Sequence, residues 1–591
     1  MSQKSKWLAT AGVTLLAVSA LAACSNQKTS SSNNKDTLPT SVTNEGTVKE
    51  DATLNVAVVD DSGGVGIVMP ELPGASVDSD LAEYAYEFMF TSDENLQISD
   101  TGLATATIDE DKKTVTVSLT GKDYKWSDGQ PFTIDDYIFA IEKIGDKDYT
   151  GIRYNEGFSS IVGMADYHDG KTDTISGIEK KDDYTVVLQY EDINPSMTYV
   201  SYLPMYAVPK HIFQDIPVKD WEQSEYAREK YVGMGPYKIK EIVPGESIVY
   251  EANPYYYRGE AKIKHVKKDL VSTDTIASEV KAGHYDIVSS MPSDQYDQFQ
   301  TFTNVDILAS KSNTFHYMGF KLGKVENDKF VRLTDAKVAD VNLRQALAYA
   351  LDNEQLGQTV YNGFWTPATT LEISFFGDLH DKKAKGYPYD PEKAKELLEE
   401  AGYKDSDNDG YVETPKGDKL TLTLAAPQRG DAFESMIQQY IEWWKQIGVK
   451  VELFNGRTME KNAFYEEIEK NDTKVDMFLG AVGTGFDPSP IGLWGSSPTS
   501  TINKTGFASE EQDKLFAKLV SPEAMDEDYR IKAYAEWQEY ANKQLYAAPL
   551  FEISEGVVVN KRVKYYETAI GSEKARIENL ELVEDKGIAD K

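Results

Sequence analysis

The chain has 591 residues and a formal net charge of −35, with 97 acidic residues against 62 Lys and Arg. That balance excludes a nucleic-acid partner, which needs a basic face to displace counterions, and it disfavours adhesion to anionic lipid by charge alone. A single cysteine excludes an intrachain disulfide, so stability must come from a packed core, for which 36 Tyr, 22 Phe and 8 Trp supply ample aromatic surface.

At the N-terminus, Lys4 and Lys6 precede an apolar run from Trp7 to Ala23 that closes on Leu21-Ala22-Ala23-Cys24. A charged start, a short apolar stretch and small residues before its end mark a cleaved export signal, residues 1–23. The ending resembles the bacterial lipobox, whose cysteine sulfur receives a diacylglyceryl group and becomes the new N-terminus. The expectation is a lipoprotein signal peptide, lipidation at Cys24, and anchoring at the cell membrane on the extracytoplasmic face; two acyl chains hold stably where one does not. Residues 24–50 are rich in Ser, Thr, Asn and Lys and cannot offset their ordering entropy, so they are expected to form a flexible tether. No later segment is apolar and long enough to span a bilayer.

Beyond residue 50, alternation of apolar and polar residues predicts strands at 54–59, 114–119, 184–188 and 248–251. Thr133 with Asp136 predicts a capping box, followed by Tyr137, Ile138, Ile141 and Ile144 on one helical face. Asp340 opens a second helix striped by Leu343, Leu347 and Leu351. Asp390-Pro391 opens a third with Leu397 and Leu398 inward, ended by Gly402. From Leu420 to Pro488 the pattern reads strand (Leu420, Leu422, Leu424), helix (Met436 to Trp444), strand (Val449, Val451, Leu453), helix (462–469), strand (475–479), which implies a parallel α/β sheet. Ligands bind beyond the carboxyl ends of such strands, so the glycine-rich stretch 480–490 is the first place to look for a site.

Chemistry-bearing motifs are scarce. No Gly-x-Ser-x-Gly elbow, His-Glu-x-x-His pair or phosphate-binding glycine loop occurs, and the six histidines lack ligand spacing. No enzyme and no cofactor is expected. Asp405, Asp407 and Asp409 with Gly410 repeat the opening of a calcium loop, but the twelfth position is Lys416 rather than a bidentate acid. An Asx-rich turn accounts for the same residues.

Four blocks carry a resemblance. Trp126-Ser127-Asp128-Gly129-Gln130-Pro131-Phe132-Thr133, then Gly233-Met234-Gly235-Pro236-Tyr237 with Asn253-Pro254-Tyr255, then 343–353 (LRQALAYALDN) and 389–403 (YDPEKAKELLEEAGY) are similar to the large solute-binding proteins of peptide ABC importers, the oligopeptide- and dipeptide-binding family, in its Gram-positive form. The resemblance implies an α/β, two-lobed periplasmic-binding-protein-like fold with hinge strands and an extra domain in the first lobe. By this likeness lobe I takes 51–89, 201–311 and 546–591, the extra domain 90–200, and lobe II 312–545. It implies a monomeric receptor that closes over an extended oligopeptide and delivers it to the permease subunits of an importer. A pheromone receptor of the same fold, or an exported hydrolase, is the alternative.

The same likeness places segments that pair with the ligand backbone as added strands at Ala75, Ser76 and Val77 in one lobe and at Gly480, Ala481 and Val482 in the other, with Gly483 beside them among the peptide-binding residues. It also points to Phe364, Trp365 and Trp494 for side-chain pockets, with hydrophobic packing as the alternative, and counts Phe486 among the peptide-binding residues. The family's aspartate for the peptide ammonium falls at Thr484, with Asp487 the nearest acid. Thr484 carries no charge, so the expectation is that the ligand is not fixed by its free amino end.

Overall fold

The computed structural model describes residues 38–591 except 73, 499, 500, 573 and 575. The export signal, Cys24 and residues 24–37 of the expected tether lie outside the described residues.

An 11-stranded mixed sheet forms the centre of the fold. In chain order its strands are β1 (Thr53–Val59), β2 (Tyr237–Val243), β3 (Ser247–Ala252), β4 (His265–Val271), β5 (Ile287–Met291), β6 (Val305–Phe320), β7 (Trp365–Pro367), β8 (Thr421–Ala425), β9 (Lys450–Leu453), β10 (Met477–Gly483) and β11 (Ala547–Asn560). Across the sheet they run β9-β8-β10-β6-β11-β5-β1-β4-β3-β2, and β7 adds to β11.

Strands β6 and β11 are the longest, 16 and 14 residues, and pair antiparallel through the middle. Their register slips between Lys311↔Ser554 and Phe315↔Glu552, leaving Ser312, Asn313 and Thr314 opposite Ile553 alone. Such bulges bend a strand and break its ladder locally. Before the slip, Leu308 packs with Leu54, Val56 and Val557 in one core; after it, Phe315, Met318 and Phe320 pack with Leu347, Trp444 and Ala548 in another. Two lobes therefore share two strands, with the irregular step lying between their cores.

A further core, holding Trp126, Tyr137 and Trp221, packs on a four-stranded antiparallel sheet built from Ala104–Asp109, Thr114–Leu119, Thr185–Gln189 and Ile178–Asp182. This is the additional domain of the first lobe. Its capping-box helix runs Ile134–Ile144: Asp135 N donates to the Thr133 hydroxyl at 3.3 Å and Thr133 N donates to Asp136 at 3.0 Å. The Trp-Ser-Asp-Gly block is the turn just before it, with Gly129 at φ +87° and its N–H bonded to the Trp126 carbonyl at 2.8 Å. Gly235 is needed for close approach, since a Cβ there would lie 2.5 Å from the Ala85 carbonyl carbon.

Two expectations change. Ser41–Thr43, inside the expected tether, pairs antiparallel with Tyr565–Glu567, while Leu38 and Val42 pack against cores. A short edge strand is held by backbone bonds that polar composition does not reveal. Strand β10 begins two residues later than expected and runs on to Gly483, because Gly480–Gly483 complete a ladder with Tyr317–Thr314 of β6. At Gly480 a Cβ would meet the Tyr317 ring at 2.6 Å, so glycine serves close packing there rather than looseness.

Candidate ligand-binding cleft

Strand β8 runs parallel to both β9 and β10, so their carboxyl ends lie on one side. On its β6 edge, β10 is paired from Met477 to Gly483. On its β8 edge it is paired only at Met477 and Phe478. Among the described residues no strand covers Leu479–Gly483 on that second edge, and Gly483 sits opposite Thr314 of the hinge bulge. An unpaired edge of this kind accepts an extended peptide as an extra strand, with main-chain bonds giving affinity whatever the side chains.

The residues around this edge are partly open. Ala481 and Val482 are half-buried and Gly483 is exposed. The Thr484 hydroxyl donates to the Asn313 carbonyl at 3.0 Å, and Asn313 Nδ2 donates to the Gly485 carbonyl at 3.0 Å, tying the loop after β10 to the hinge bulge. Phe486 is exposed, its ring 6.2 Å from Phe375. Trp365 is half-buried, stacked on Tyr361 at 3.7 Å and 4.3 Å from the His316 ring.

Other sequence-predicted positions lie elsewhere. Val77 is fully buried in the first-lobe core, and Ser76–Ala82 is a helix, with Ala75 O accepting from Asp78 N at 3.0 Å. That segment presents a helix start rather than a strand edge, because the Asp78 carboxylate in its first turn binds Val65 N and Gly66 N. Phe364 is buried against Tyr296 at 5.4 Å, and Trp494 is buried between Tyr317 and Tyr546. Both aromatics are buried among core side chains.

Several charged groups carry no sequence signal of their role. Arg429 follows β8 beyond its carboxyl end; the residue as a whole is exposed, but the protein around its guanidinium desolvates the charge and lowers its pKa. Its side-chain hydrogen bond goes to His316 Nε2, 3.2 Å away. Burial, then the neighbouring Arg429 charge, drives the His316 pKa well down, so the imidazole is neutral and accepts there. Only the carboxyl-end rule for parallel strands could have singled out Arg429.

Asp487 accepts from the Ser196 hydroxyl of the additional domain at 3.0 Å and from Ser489 N at 3.0 Å. Desolvation raises it to about 6 despite these bonds, with Glu156 adding to the effect. Glu372, 3% exposed, is pushed well above the carboxylate range by burial and then by Asp487, and its Oε1 has no hydrogen-bond partner. No motif marks Glu372, one acid among 97.

The calcium-like loop holds a cation of the protein's own. Oxygens of Asp405, Asp407 and Glu413 lie within 4.8 Å of one another. Lys419 Nζ pairs with Asp407, with Asp409 at 2.6 Å and with Glu413 at 3.1 Å, while Asp405 accepts from Gly410 N at 3.0 Å. The lysine brings one of the two positive charges a calcium ion would, and the loop joins helix Pro391–Glu400 to β8.

No helix among the described residues is long and apolar enough to cross a membrane. The family model of the bacterial extracellular solute-binding proteins, family 5 (middle region), matches residues 100–504. The oligopeptide-binding protein OppA of Lactococcus lactis subsp. lactis is 32% identical over 486 residues, 80% of each chain. The oligopeptide-binding protein AppA of Bacillus subtilis is 28% identical over 481 residues, 79% of this chain and 81% of that one. Among solved structures, lactococcal OppA complexed with an endogenous peptide in the closed conformation superposes with a TM-score of 0.82 at 30% identity, covering 90% of this chain and 99% of the other. With the paired hinge strands and the two cores already seen, these likenesses fix the class: the chain belongs to the bacterial extracellular solute-binding proteins of family 5, and is a binding protein rather than an enzyme.

Proposed function

We propose that this protein is a lipid-anchored receptor that binds oligopeptides between its lobes and delivers them to the permease subunits of an ABC importer. The observation that carries the ligand class is the unpaired edge of Leu479–Gly483 beside the hinge bulge, a surface suited to a backbone and indifferent to side chains. The relatives named above as oligopeptide-binding proteins support the same reading. Anchoring through Cys24 and a monomeric state belong to this proposal, as does the lobe boundary between 311 and 312, supported by the register slip that begins there. A ligand touching both lobes stabilises the closed form over the open one, and only the closed form engages the permease.

Mass spectrometry of the soluble form, expressed from residue 25 onward and purified without denaturation, tests the ligand class. A mixture of co-purifying peptides is expected; a bound metal complex, sugar or haem in their place would overturn it. Because Thr484 is uncharged and its hydroxyl is engaged by Asn313, N-acetylation of a bound peptide is expected to change its affinity less than tenfold. For the anchor, a Cys24→Ala variant should leave the membrane fraction and lose incorporation of labelled fatty acid.

A further inference from the structure

We infer that Glu372 and Asp487 of the second lobe, with Glu156 and Ser196 of the additional domain beside them, form a subsite for the ammonium or guanidinium group of a basic side chain on the bound peptide. This rests on the peptide reading above and adds to it a preference among peptides that backbone pairing cannot supply.

Three observations carry it. First, carboxylates of the second lobe and of the additional domain act on one another, and among the described residues none of Glu372, Asp487 and Glu156 has a salt-bridge partner. Asp487 is bonded to Ser196 across the cleft, its charge opposes ionisation of Glu372, and Glu156 acts on Asp487 from the additional domain. Arg530, whose charge reaches Tyr199 and Tyr534, donates through Nη1 to the Ala524 carbonyl at 3.0 Å, its buried Nε has no partner, and it pairs with none of these acids. Second, Glu372 is nearly fully buried and Oε1 has no partner, although a buried carboxyl oxygen without a bond is costly. Third, the groups do not suit a bare metal ion. Among the described residues only Asp405, Asp407 and Glu413 bring three ligand atoms within 4.8 Å, so the Glu372 group stands too open for one ion and suits a larger organic cation.

The place of the pair decides which cation. A terminal ammonium is fixed to the ligand backbone, whereas Glu372 is nearly fully buried, so a long, flexible side chain suits it better. The groups facing the pair are Ser196, Tyr199 and Tyr202 with Glu156 from the additional domain, Ser489 from the loop after β10, and Tyr534 with Arg530 from helix Glu527–Gln544. Because these come from both lobes, a cation held among them also favours closure.

The test is calorimetry at pH 7 on the soluble form, using alanine-leucine nonapeptides in which one lysine is moved through every position, each compared with norleucine at the same position. One position, or two adjacent ones, is expected to bind lysine at least tenfold more tightly than norleucine. In the double variant Glu372→Gln and Asp487→Asn that ratio should fall below twofold, and Asp487→Asn alone should lower it in the same direction. The ratio should also shrink as pH falls from 7 to 5, since Asp487, raised to about 6, loses the charge that attracts a cation over that range. Norleucine peptides that bind with no lysine position above twofold, a ratio that survives the double variant, or an advantage abolished by N-acetylation would each overturn the subsite. Binding of neither series would remove the peptide reading itself, and the subsite with it.

Discussion

At the scale of single residues, the acids that matter in this protein are the few that are buried, not the many that are exposed. Glu71 illustrates this within the additional domain's core. It is 3% exposed, its Oε2 has no partner, and burial pushes it up to about 8 from 4.5, with only Arg153 among charged groups pulling the other way. Its carbonyl is engaged by the Tyr149 hydroxyl, and Arg153 Nε donates to the Pro70 carbonyl at 2.9 Å, so the backbone is held while the carboxyl group stays neutral. Between its unfolded and folded values the folded state binds the extra proton, and stability therefore falls as pH rises from about 4.5 to about 8 and then levels. Glu71→Gln keeps the shape and removes this slope. Urea unfolding at several pH values should show the variant equal to the parent near pH 4 and more stable at pH 7 by on the order of 2–4 kcal/mol, because each tenfold difference in proton affinity between the two states is worth about 1.4 kcal/mol. Equal slopes in both proteins would show that Glu71 ionises freely.

At the scale of elements, helix starts are the best-specified features of the chain. Thr133, Asp340 and Asp390 each accept the first-turn bond that their positions imply. Thr133→Ala removes one half of the capping box, and should cost about 1 kcal/mol in chemical denaturation without altering peptide affinity, since the bonds it makes stay within its own helix start. The parallel arrangement of β8, β9 and β10 was legible for the same local reason: periodicities of two and 3.6 alternate cleanly from Leu420 to Leu479. What was not legible depends on partners distant in sequence. Ser41–Thr43 becomes a strand only because Tyr565–Glu567 lies beside it, from the far end of the chain. Trp494 and Phe364 carry the composition of pocket aromatics, yet Tyr317, Tyr546 and Tyr296 enclose them. Topology made the stretch after Phe478 the place to look for a site, but Ser196, which bonds to Asp487 there, and Glu372, on which Asp487 acts, carry no local signal.

At the scale of the molecule, one residue ties the irregular hinge step to the loop after β10. Asn313 sits in the three-residue step where β6 loses register with β11, its carbonyl accepts from both Thr484 N and the Thr484 hydroxyl, and its side chain donates to Gly485. Flexing of the step therefore moves the loop after β10, and ordering of that loop by a ligand stiffens the step. Asn313→Ala keeps the backbone bonds and deletes the side-chain one. A net hydrogen bond is worth about 0.5–1.5 kcal/mol, so peptide affinity is expected to weaken by roughly twofold to tenfold. The free protein's thermal midpoint should change little, because the residue is only half-buried and anchors no core. Small-angle scattering supplies the discriminating readout: peptide should shrink the radius of gyration of the parent, and the variant should need correspondingly more peptide to reach the same compaction. Unchanged affinity together with an unchanged scattering titration would mean that the loop and the hinge move independently.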